Sequence, residues 1–184
     1  MGTRHMIGVI KGGTYRVGQY GQWDGYPEGQ GYTVLDIMRN ANLDAFSQSI
    51  EHCKFVDQKR VREMYVEAGD SPDNTSGFID MAIADKFREL YPSMSRDTGA
   101  KILEIVMGAT AENPVELFDQ HDFLDDETFC EFAYVVNLDT KKLICYAGSP
   151  NDIFAEYDLG NVPDNEKMLE DYKKWYKEKN NEDY

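Results

Sequence analysis

Residues 19–31, QYGQWDGYPEGQG, hold four glycines, one proline, three aromatic residues and no lysine or arginine. Tyr20, Trp23 and Tyr26 are rings on which a planar group can stack, while Gln22, Gln30 and Asp24 supply amides and a carboxylate suited to hydroxyl groups. With only Asp24 and Glu28 charged, the loop suits a neutral or weakly charged, nucleotide-like small molecule better than a phosphate, whose charge it would leave unneutralised. The spacing matches neither a dinucleotide fingerprint nor a P-loop. An architectural reading competes with the ligand reading. Glycines allow positive φ or close backbone approach, Pro27 stiffens the middle, and aromatic side chains are more often packed than poised for a ligand.

A second group lies in FDQHDFLDDETF, where Asp119, Asp122, Asp125, Asp126 and Glu127 surround His121. A hard cation would favour such carboxylates, but the glycine of a calcium-binding EF-hand loop is missing, and no metal or other cofactor is expected. The wider charge map gives these acids another use. The chain of 184 residues has a net charge of -15, yet residues 1–101 hold 12 basic and 14 acidic residues. Residues 102–166 hold 15 acidic residues against Lys141 and Lys142 alone. Such a field repels nucleic acid and anionic membranes and steers the protein toward a partner with a basic surface. An acidic surface also serves plain solubility.

Nucleophiles are less promising. Cys53, Cys130 and Cys145 are odd in number and widely spaced, which fits buried free thiols rather than a disulfide framework or zinc site. His5, His52 and His121 do not recur at metal-ligand spacing. Thr3 would act as an N-terminal nucleophile only if both Met1 and Gly2 were removed. No order of nucleophile and base is recognisable, so no catalytic residue is named. A small-molecule hydrolase working in a cleft beside the Trp23 loop remains the alternative to a binding protein.

These groups need a scaffold, and the periodicities supply an α+β fold on a single domain, residues 1–184. HMIGVI and TYRVGQYGQW read as an N-terminal β-hairpin around KGG, and FCEFAYVVNLDTKKLICYAG reads as a C-terminal hairpin around Asp139 to Lys142. Between them lies a helical middle. A helix capped by Thr33 is expected first, then helix through residues 43–68 to a Gly69 stop, with Leu43, Phe46 and Ile50 on one face. Ile79, Ile83, Phe87 and Leu90 form the next stripe, and Ser95 caps a helix buried through Ile102, Ile105 and Val106. A charged helix runs from about Asp164. The expectation is an antiparallel sheet built from the two hairpins, with helices on one side. Lys54, Lys59, Arg60 and Arg62, interleaved with Asp57 and Glu63, read as a solvated helix face. No stretch has the form of a signal peptide or membrane span, and Met6 stands where a myristoylation pattern wants Ser or Thr, so the expected location is cytoplasmic.

MGTRHMIGVI, QYGQWDGYPEGQG and SRDTGAKILEI, followed by the FAYVVNLDTKKL hairpin, together resemble an uncharacterised protein family found in phage, bacterial and some fungal genomes. The resemblance covers most of the chain, and the central loop is specific to it. It implies a small accessory protein, often phage-encoded, that works in the host cytoplasm without an assigned reaction. The combined expectation is a non-enzymatic binder that interferes with a host defence factor, through its acidic surface or by holding a small metabolite.

Overall fold

The computed structural model describes residues 2–180. Strand β1 (His5–Lys11) turns through Gly12 and Gly13, both at positive φ, into β2 (Thr14–Gly21). The turn is clamped from far away in sequence, since the Gly12 and Gly13 amides each donate 2.8 Å hydrogen bonds to the Asp139 carboxylate. The helical middle then brings α1 (Tyr32–Asn40), α2 (Leu43–Ser49), β3 (Cys53–Phe55), α3 (Gln58–Glu67), α4 (Met81–Leu90) and α5 (Ile102–Met107). Strands β4 (Val115–Leu117), β5 (Phe132–Asn137), β6 (Lys142–Tyr146) and β7 (Ile153–Asp158) follow, and α6 (Asn165–Asn180) ends the described chain.

The main sheet has the order β2-β1-β5-β6-β7. Both expected hairpins form, but they join through a parallel pairing of β1 with β5, His5 opposite Phe132 and Ile10 opposite Asn137, so the sheet is mixed. The parallel pairing follows from the helical middle, which carries the chain from the end of one hairpin back to the starting edge of the other. Alternation along the strands sets the two faces. Ile7, Val9, Val17, Tyr134, Val136 and Leu143 face the helices and form the main core with Leu35, Phe46, Leu103 and Met168. On the other face Met6, Ala133 and Val135 pack beneath Leu124 and Cys130. A bulge between Val9 and Ile10 leaves Arg16 opposite no residue of β1. Its guanidinium ties the sheet to the helical layer by donating to the Ile50 carbonyl at 3.1 Å and to Glu51 at 3.2 Å.

Several local expectations are corrected. Helix does not run through residues 43–68: after a 3-10 turn over Ile50–His52 the chain extends as β3, which pairs in parallel with β4. Cys53 fills the buried position of that strand, so the helical spacing of Phe46 and Ile50 ends where a strand partner exists. Thr33 does not cap α1, which grows out of a π-helical turn over Pro27–Gly31, and its hydroxyl donates to the Gly29 carbonyl at 3.2 Å. Ser95 closes the preceding turn rather than opening a helix. In the stripe expected around α4 only Phe87 is buried; Ile79 precedes the helix and Leu90 is exposed. The basic cluster is not simply solvated, because Arg60 reaches Glu116 of β4 and Glu67, while Arg62 pairs with the buried Asp70.

Candidate functional site

The glycine-rich loop closes over one end of β1. His5 begins that strand with no solvent exposure, and its ring is walled by glycines. A Cβ on Gly21 would lie 2.1 Å from Nε2 of His5, and one on Gly25 would lie 2.7 Å from its Cβ. Neither ring nitrogen has a hydrogen-bond partner. Burial therefore pushes its pKa down to about 4, with the Thr3 backbone and the Asp24 charge offsetting part of that effect. The loop backbone is pinned across this ring. Gly25 N donates to Thr3 O at 2.9 Å, and the buried Tyr134 hydroxyl donates to Gly25 O at 2.9 Å. Asp24 adopts φ 57°, and its carbonyl accepts from Gln30 N at 2.8 Å. Gly29 is needed beside it, since a Cβ there would lie 2.2 Å from that carbonyl oxygen.

The loop also grips the other motif of the resemblance, 70 residues away. Gln22 N donates to Arg96 O at 3.1 Å, and Trp23 Nε1 donates to Asp97 Oδ1 at 2.9 Å. Gln19 Nε2 donates to Ser95 O at 3.0 Å, and Gln30 Oε1 accepts from Ala100 N at 2.7 Å. Gly99, at φ 55°, lets the Gln30 amide approach to 2.5 Å from where its Cβ would be. Of the six ligand candidates, Trp23 and Gln30 enter the clasp through their side chains and Gln22 through its backbone alone. Tyr20 donates to Gln22 Oε1 and meets Phe123 edge-on at 4.8 Å. Tyr26 is 40% exposed and donates weakly to Asp24 at 3.4 Å. Trp23 is 48% exposed, and one part of its ring covers Gly2. The loop holds the 95–100 turn in place.

Sequence reasoning missed what that turn presents. A cavity of about 280 Å³ lies between it and α3 and α4, lined by Tyr65, Phe87, Arg88, Met94, Arg96 and Asp97 among others. Two arginines, Arg88 and Arg96, therefore line a cavity beside the Trp23 loop, although the loop carries no cation of its own. The signal was available in SRD of the second motif, but nothing in the one-dimensional order places it next to Trp23. Arg88 is shared between Asp85 and Asp97. Of the seven arginines, Arg96 makes no ion pair among the described residues.

The acidic candidates form a ridge along β2. Gln120 N donates to Gly18 O at 2.8 Å, and Gly18 is indispensable because a Cβ would lie 2.6 Å from the His121 backbone. A short 3-10 turn, His121–Asp125, then displays the carboxylates. His121 stacks on Tyr15 with ring centroids 4.8 Å apart. Its Nδ1 lies 2.6 Å from Asp119 and its Nε2 3.1 Å from Asp122. The Asp119 hydrogen bond holds the imidazole pKa above its ordinary value, with the charges of Asp119, Asp122 and Asp125 adding to it. Asp126 serves the scaffold, accepting from the Thr128 and Phe129 amides at 3.1 and 3.0 Å. Asp122, Asp125 and Glu127 point to solvent, and none of the five acids pairs with a lysine or arginine among the described residues.

Among the described residues no three His, Cys, Asp or Glu side chains gather as a metal ion would require. The three cysteines are buried free thiols, as expected, and burial raises Cys53 to about 11 and Cys130 to about 12, so neither offers a thiolate at neutral pH. No described helix is long and apolar enough to cross a membrane. No protein-family model, curated protein or solved structure matches the chain.

Proposed function

We propose that this protein is a non-enzymatic binder whose acidic ridge holds a basic surface of a partner protein. The supporting observation is the build of residues 119–127. Outward carboxylates without a lysine or arginine partner among the described residues are mounted on a segment fixed to β2 through Gly18 and capped internally by Asp126. A surface kept merely soluble needs no such rigid mounting, whereas a binding surface gains affinity when its charges are already placed. The sequence resemblance gives this binder a setting, a phage-type accessory protein that blocks a host defence factor in the host cytoplasm.

The test is affinity capture from cells expressing the protein, with quantitative binding to whatever partner is recovered. Asp122→Lys, Asp125→Lys and Glu127→Lys are combined, leaving Asp119 and Asp126 to hold the scaffold. This variant should lose the partner, and wild-type binding should weaken steeply as salt rises from about 0.1 M to 1 M, where screening contracts from about 10 Å to about 3 Å. The same charge change at the exposed Glu104, Glu112 and Glu170 should leave capture in place. A partner retained by the ridge variant would overturn the reading.

A further inference from the structure

The cavity beside the Trp23 loop has the composition of a ligand site, and it shares no residue with the acidic ridge. Its inner wall is apolar: Tyr65 and Phe87 stack at 4.2 Å with their planes 18° apart, and Met94 lies beside them with 5% exposure. Its rim is polar. Asp97 has both oxygens engaged, one by Trp23 Nε1 at 2.9 Å and the other by Arg88 at 3.4 Å. Arg88 is compensated in turn by Asp85 and Asp97, which leaves Arg96 as the rim's uncompensated charge.

Arg96 is also well mounted. Its carbonyl is held by Gln22 N at 3.1 Å, the Ser95 hydroxyl accepts from Asp97 N at 3.1 Å, and Thr98 N returns to Ser95 O at 3.2 Å. The loop's glycines and glutamines thus fix the backbone of Arg96, the arginine without an ion pair among the described residues, at the edge of an apolar slot. A guanidinium presents two parallel donors that match a carboxylate, and an aromatic wall favours a flat ring. The volume of about 280 Å³ is at the small end of ligand pockets and suits one ring rather than a dinucleotide. A multiply charged phosphate is disfavoured, because one uncompensated cation at the rim, on a protein of net charge -15, matches one negative charge.

From this arrangement we propose that the cavity between the 95–97 turn and α3 and α4 binds a small aromatic monocarboxylate, its ring against Tyr65, Phe87 and Met94 and its carboxylate on Arg96. This replaces the neutral ligand expected from the loop sequence, because the fold supplies the cation from a different segment.

Calorimetric titration of the full chain tests it with four probes: benzoate, benzamide, inorganic phosphate and uridine monophosphate. Benzoate should bind saturably, and the other three at least about tenfold more weakly. Arg96→Gln should weaken benzoate about tenfold while leaving the near-ultraviolet dichroism of Trp23 unchanged, since the Gln22 contact is to the Arg96 backbone. Ala84→Leu, a change at another lining position, fills the cavity and should abolish binding. Lys101→Gln removes an exposed positive charge shortly after the turn and should change nothing. Absence of saturable benzoate binding, equal binding of benzamide or phosphate, or full binding by Arg96→Gln would each overturn the proposal. The ridge reading would survive any of these results, because it depends on partner capture alone.

Discussion

Gly21→Ala is the sharpest test of the loop as architecture. The added methyl would sit 2.1 Å from Nε2 and 2.2 Å from Cε1 of His5, where a comfortable contact is about 3.5 Å, so ring and backbone must part by over about 1 Å. His5 cannot swing away, for it has no exposed surface and Gly25 closes its other side. Overpacking of this kind costs about 1–3 kcal/mol, while the loss of glycine's freedom in the unfolded chain returns about 0.4–1 kcal/mol. The net expectation is a loss of about 1.3 kcal/mol, or about 3–5 °C in Tm for a domain of this size. Equilibrium unfolding in urea measures it, with an unchanged slope showing that the folded state keeps its compactness. The decisive comparison is made in a His5→Ala background, where the methyl has room and its cost should nearly vanish. Gly13→Ala is the control. That glycine has φ 73° and nothing within 4 Å of its would-be Cβ, so its cost of about 1–2 kcal/mol is conformational and should be the same with or without His5. Strict additivity of Gly21→Ala with His5→Ala would refute the packing argument.

Two pH predictions follow from the histidines. The folded state keeps His5 neutral down to about pH 4, whereas the unfolded imidazole takes a proton near 6.5, so its burial costs stability progressively as pH falls through that window, about 3 kcal/mol in full. Wild type should therefore lose more stability than His5→Gln between pH 7 and pH 4.5, and equal losses would contradict a buried neutral ring. His121 has the opposite sign. Its folded pKa is raised, so its contribution is complete below pH 6.5 and disappears as pH rises through the folded value. An NMR titration should give a midpoint above 6.5 that drops in Asp119→Asn, and a wild-type midpoint at or below 6.5 would remove the Asp119 contact from the account.

The hairpins were legible because alternation and turn glycines are local signals, as HMIGVI and KGG show. The break after Ile50 was not, because β3 exists only through its pairing with β4, some 60 residues on. The strand β7 was missed for a related reason: IFAEYD has a mixed pattern that becomes a strand only when β6 offers its edge. For the site, composition correctly marked residues 19–31 as unusual but could not say for what. Trp23 and Gln30 also hold Asp97 and Ala100, a structural use that their sequence positions do not show. The cations of the cavity come from SRD and α4, and only the fold brings them beside the loop.

The parallel pairing of β1 with β5 also bears on how the chain is made. The centre of the sheet unites residues up to 127 positions apart, and Asp139 clamps the Gly12 turn over the same distance. A ribosome adding about 5–20 residues per second needs about 6–25 s to supply that partner after the N-terminal hairpin emerges. Throughout this interval β1 has β2 on one side and an unpaired backbone on the other, and Met6 lacks the Leu124, Cys130 and Val135 that cover it in the finished fold. Long-range pairing slows folding, and an open apolar edge invites the wrong strand. Newly synthesised chains therefore pass through a period of exposure that the finished molecule, with β1 sealed between two neighbours, does not betray.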